Sequence, residues 1–187
     1  QMEIQTMITA YRSLTSHLIT AAMLGVAALT LTACGNESKS AQSLGPVEID
    51  RSTSCSLDGM LLADYPGPKA QILYADQAKP AFFCDTMELI NQLHAGEQVR
   101  AIKGAYVQDM GKADWNQPQG HWIDAKTAIY VVGSKRHGSM GPTIASFAQE
   151  ADATKFVQEH GGKAMKFEEI KPGMADLSGG ALHDTRM

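Results

Sequence analysis

Apolar and polar positions divide the chain into blocks of different character. Residues 18–33 (LITAAMLGVAALTLTA) run without a charge. A bilayer-spanning helix takes about 20 apolar residues, so this stretch is short for a span. It suits the apolar centre of a secretory signal, preceded by a weakly basic segment and closed by small residues. Residues 35–50 (GNESKSAQSLGPVEID) are small and polar and read as a flexible tether. Residues 171–187 have the same look and read as a loose tail.

Between tether and tail one pattern occurs twice. Residues 70–75 (AQILYA) and 80–84 (PAFFC) are short runs of strand formers separated by polar residues. Asp85-Thr86-Met87-Glu88 then has the form of a capping box, with Asp85 accepting from backbone N–H groups and Glu88 reaching back. Leu89, Ile90 and Leu93 follow at helical spacing, Gly96 stops the helix, and 99–108 reads as a strand. The second copy comprises strand 127–132, strand 142–147, helix 149–159 stopped by Gly161-Gly162, and strand 163–170 with Met165 and Phe167 on one side. The fold class is α+β, two tandem ββαβ halves after a signal peptide and flexible tether. The divisions are a signal peptide at 1–33, a lipidated cysteine and tether at 34–50, a first half at 51–110, a connecting loop at 111–126, a second half at 127–170 and a tail at 171–187. Two unrelated hairpin–helix units are the alternative.

Composition narrows the function classes. Sixteen Lys and Arg against 20 Asp and Glu give a net charge of −4, which is no electrostatic footprint for nucleic acid. Three cysteines are too few for a disulfide scaffold, while ten methionines in 187 residues are many. Leu31-Thr32-Ala33-Cys34 resembles the bacterial lipobox, in which the cysteine is lipidated and becomes the first mature residue. Such an anchor implies the membrane as a partner and an oxidising cell-envelope compartment.

The densest chemistry lies just after the tether, in Cys55-Ser56-Leu57-Asp58-Gly59-Met60. A thiolate and a thioether five residues apart, with a glycine to turn the chain, can converge on one ion. Both are soft donors and favour Cu(I) over Mg²⁺, Ca²⁺ or Mn²⁺; the four-ligand spacing of structural zinc is missing. A third ligand is available from three places. These are His137 and Met140 in a glycine-flanked loop, Cys84, Asp85 and Met87 at the strand-to-helix turn of the first half, and His121 beside Trp122. Cys84 and Met87 also suit core packing, and free Cys and Met bury readily. In an oxidising compartment a Cys55–Cys84 disulfide would remove the thiolate and leave a structural scaffold. There is no Gly-rich phosphate loop, no G-x-S-x-G elbow and no H-E-x-x-H.

These residues together resemble the NosL family, lipoprotein accessory factors of nitrous-oxide reductase. The resemblance rests on the lipobox ending at Cys34 and on Cys55-x-x-Asp58-Gly59-Met60. It continues in Phe82-Phe83-x-Asp85, in Gly138-Ser139-Met140-Gly141-Pro142 followed by Phe147, and in His160-Gly161-Gly162. It implies a periplasm-facing, membrane-anchored Cu(I)-binding protein whose partner is apo nitrous-oxide reductase or its maturation machinery. It also implies a fold related to organomercurial lyase and copper ligands that include Cys55 and Met60. Many relatives have a second Cys where Asp58 stands here, so a two-thiolate description does not carry over at that position. A lyase-like enzyme, with Cys55 or Cys84 and Asp85 or Asp58 attacking a metal–carbon bond, is the remaining rival.

Overall fold

The computed structural model describes residues 45–95 and 100–176. The signal segment, Cys34, the helix stop at Gly96 and the tail beyond 176 lie outside the described residues. Among the described residues no helix is long and apolar enough to cross a membrane.

The first half runs β1 (Ala70–Tyr74), β2 (Ala81–Phe83), α1 (Thr86–His94) and β3 (Ile102–Gln108). β1 pairs antiparallel with both β2 and β3, and β4 (Trp122–Asp124) adds to β3, giving the order β2-β1-β3-β4. The second half runs β5 (Ile129–Val132), β8 (Ala145–Phe147), α2 (Glu150–His160) and β9 (Lys163–Lys166), in the order β8-β5-β9. A small hairpin, β6 (His137–Gly138) and β7 (Gly141–Pro142), is inserted between β5 and β8. Each half thus places its first strand between its second and third, with the helix following the second.

One apolar core joins the halves. Ile72, Phe83, Leu89, Ile90 and Val107 of the first half pack with Tyr130, Ile144, Met165 and Ile170 of the second. A second cluster, under α2, stacks Trp115 on Phe156 with ring centroids 5.4 Å apart. Ser146 in β8 ties the two sheets, its hydroxyl donating to the Gln108 carbonyl at 2.6 Å.

Several expectations are corrected by packing. The connecting loop 111–126 contains β4, which finds its partner only through the tertiary fold. The last strand ends at Lys166, and Phe167–Glu169 coils into a 3₁₀ turn that still lays Phe167 against the core. The tether ends earlier than 50: Gln71 exchanges hydrogen bonds of 2.8 and 2.9 Å with the Val47 backbone, and Ile49 is buried. The tail begins later than 171. Pro172–Ala175 forms a 3₁₀ turn against α1, with Asn91 Nδ2 donating to the buried Ala175 carbonyl.

Candidate metal centre

The segment carrying Cys55 is a closed loop, fixed by short-range chemistry. Ser54 bridges Leu61 at its base, Cys55 N–H donates to the Met60 carbonyl at 2.8 Å, and Gly59 N–H donates to the Cys55 carbonyl at 3.0 Å. Asp58 Oδ1 accepts from Met60 N–H at 2.9 Å, and Gly59 takes the left-handed conformation (φ 79°) that the turn requires. Ser56 N–H donates to the Phe82 carbonyl at 2.8 Å, pinning the loop to β2. Since Cys84 directly follows β2, that bond brings two cysteines distant in sequence into one pocket.

Cys55 and Cys84 are both free thiols and both buried. With Asp58 and Glu88 they place one ligand atom each within 4.8 Å of one another. Met60, Phe82, Trp122 and Met140 pack against the apolar cluster in which the two cysteines lie with Ile49 and Leu62. Two thiols and two carboxylates, one exposed (Asp58) and one buried (Glu88), are therefore gathered beside a cluster on which two methionines pack.

Glu88 is the residue that sequence reasoning assigned elsewhere. Its Oε2 accepts from Cys84 N–H at 2.9 Å, one residue further back than a capping box demands, and lies 3.4 Å from Cys55 Sγ. A protonated Cys55 donates there. The ionised sulfur is instead met by Leu57 N–H at 3.4 Å and by the Cys84 thiol. The Cys84 hydrogen bond holds the Cys55 thiol below its ordinary pKa against the opposing effect of burial. Cys84 is pushed well above, by its bond to Cys55, by burial, and by the charges of Glu88, Cys55 and Asp58. The shared hydrogen bond thus favours ionisation of Cys55 and opposes that of Cys84. A depressed thiol pKa marks a cysteine prepared to ligate metal at neutral pH.

The other candidates take different places. Asp85 caps α1, its Oδ1 accepting from Met87 N–H at 2.9 Å and from Thr143 Oγ1 at 2.8 Å. Burial pushes its carboxyl up to about 6 against the pull of these donors and of Lys69. Asp85 is not among the four clustered ligand groups, and Met87 belongs to the main core. His137 and His121 are exposed and outside that group. His137 instead offers its backbone carbonyl to Trp115 Nε1 at 3.0 Å. Met140, in the turn of the β6–β7 hairpin, comes from the second half and packs against the first-half cluster that holds both cysteines.

Comparison with known proteins gives a consistent result. The NosL family model matches residues 46–175. The copper-binding lipoprotein NosL of Stutzerimonas stutzeri is 40% identical over 162 residues, 84% of each chain. Its namesake from Achromobacter cycloclastes is 36% identical over 156 residues, 81% of this chain and 80% of that one. The crystal structure of the copper chaperone NosL from Shewanella denitrificans superposes with a TM-score of 0.65 at 38% identity, covering 69% of this chain and 97% of that one. The chain belongs to the NosL family.

Proposed function

We propose that this protein is a lipid-anchored, periplasm-facing carrier that binds Cu(I) at Cys55 and passes it on for assembly of the copper–sulfur centre of nitrous-oxide reductase. The observation that carries the reading is the gathering of the Cys55 and Cys84 ligand atoms with Asp58 and Glu88, beside a cluster on which Met60 and Met140 pack. Soft sulfur donors suit Cu(I), and the relatives are named for copper binding and copper chaperoning. Those relatives are named as copper-binding lipoproteins and as a copper chaperone, not as enzymes.

The geometry supports a two-stage exchange. Cys55, buried and with its pKa lowered by its neighbours, is the deep ligand; Met60, half exposed on the closed loop, and Met140, at a hairpin turn, are the outer ones. An incoming donor on the partner replaces Met60 first, and copper then leaves Cys55 last. Neutral thioether ligands detach without needing a proton, which keeps release fast while the thiolate keeps affinity high. Anchoring through a lipidated Cys34 would hold the carrier at the membrane face.

Competition titration with a chromophoric Cu(I) chelator tests this. Wild-type protein takes one equivalent; Cys55→Ala loses stoichiometric binding, and Met60→Leu binds more weakly. Wild-type affinity in Cys55→Ala overturns the reading. In cells, loss of the protein leaves nitrous-oxide reductase deficient in copper, and Cys34→Ala, which removes the anchor, reduces that supply.

A further inference from the structure

Lys69 is the one lysine fully withdrawn from solvent among the described residues. It stands immediately before β1, with its backbone locked by Gln108: Lys69 N–H donates to Gln108 Oε1 at 3.0 Å and Gln108 N–H donates to the Lys69 carbonyl at 3.2 Å. A buried ammonium is costly unless its protons are used. Here they go to the Pro66 carbonyl at 2.9 Å and to Ser139 Oγ at 2.5 Å. Ser139 in turn donates to the Cys84 carbonyl at 2.6 Å, and the Pro66 carbonyl is 3.1 Å away. Ser139 is the residue before Met140. The chain Lys69–Ser139–Cys84 therefore links three pieces: the start of β1, the turn of the β6–β7 hairpin and the strand-to-helix junction that carries a thiol.

The hairpin has no large apolar face of its own to hold it there. Its strands are two residues each. It docks through backbone approach, since a Cβ on Gly67 would lie 2.6 Å from Gly138 Cα and a Cβ on Gly138 would lie 2.7 Å from Asp85 Oδ2. With so little sheet, Trp115 Nε1 holds the first strand through the His137 carbonyl, and the polar link at Ser139 holds the turn itself. We propose that Lys69 is the positioning residue of the copper site, holding Ser139, and through it Met140, against the cluster that contains Cys55 and Cys84. The inference rests on the copper reading above and assigns Lys69 no contact with the ion. Its ammonium also lies among Asp85, Glu88 and the two cysteines, whose negative charge it offsets when protonated.

A double-mutant cycle on the reduced full chain in detergent tests it, read by Cu(I) competition titration and by copper K-edge absorption. Ser139→Ala and Lys69→Met each weaken Cu(I) binding about 10- to 100-fold, the range for loss of a residue that orients a metal ligand, and remove one sulfur neighbour from copper. Met140→Leu does the same in the wild-type background but has no further effect in either variant. Ser139→Thr, which keeps the hydroxyl, restores binding. Ser139→Ala covers the case in which Lys69→Met does not fold. Full and equal losses from Met140→Leu in all backgrounds overturn the inference, because Lys69 and Ser139 are then merely structural. Unchanged affinity in wild-type-background Met140→Leu overturns it by removing Met140 from the site, with the Cys55 reading intact. Unchanged affinity in Cys55→Ala removes the copper reading itself.

Discussion

At the scale of single residues, the cleft works through unequal treatment of two chemically identical groups. Cys55 and Cys84 share a hydrogen bond, yet Leu57 N–H supports charge on Cys55 while Glu88 and Asp58 oppose it on Cys84. Copper bound at Cys55, as proposed, would displace its proton, so apparent affinity is expected to fall as pH drops through the Cys55 pKa and to be level above it. Because that pKa is lowered, the level region extends further toward neutrality than an ordinary thiol allows. Cu(I) titrations between pH 5 and 9 check this; a break at the ordinary thiol pKa would contradict it. Lys69 has the opposite kind of signature. Burial lowers it from 10.5 to about 8, against the attraction of Asp85 and the site anions. The unfolded chain therefore binds more protons between those values, and apo-protein stability rises with pH across that window by about 3 kcal/mol. Comparing denaturation of wild type and Lys69→Met from pH 7.5 to 10.5 isolates the slope, which the variant loses.

At the scale of elements, short pieces of structure are held by contacts that glycine makes possible. Gly138→Ala forces a methyl group to within 2.9 Å of Thr143 Cβ and 2.7 Å of Asp85 Oδ2. The hairpin must lift, at a cost of about 1–3 kcal/mol, read as a lower denaturation midpoint with weaker copper binding. Glu88→Ala leaves Cys84 N–H without its acceptor beneath the first turn of α1 and costs about 1–3 kcal/mol. The longer strands, the two helices and the Gly161-Gly162 stop around them were legible because alternation, capping residues and left-handed glycines are local signals. β4, β6 and β7 were not: two- and three-residue strands have no periodicity and exist only because a partner strand arrives. The displaced partner of Glu88 escaped for a related reason. The D-x-x-E spacing marks a helix start, while the identity of the N–H it meets depends on how β2 delivers Cys84.

At the scale of the whole molecule, the site is a product of joining two halves. The loop 55–60 and Cys84 come from the first, Met140 from the second, and the common core with the Lys69–Ser139 link sets their distance. Cys55 and Met60 were visible in the sequence as neighbours in one short segment. Cys84 and Met140 were visible only as residues of suitable chemistry, because their proximity depends on the sheet order and on a hairpin between β5 and β8. Asp85 and Met87 had equally suitable chemistry and sit instead in a helix cap and the main core. The most direct test of copper held by sulfur in this cleft is copper K-edge absorption on the reduced full chain loaded with one equivalent of Cu(I). It predicts a sulfur-dominated first shell that is lost in Cys55→Ala. A shell of nitrogen and oxygen alone, or a sulfur shell unchanged in that variant, would contradict it.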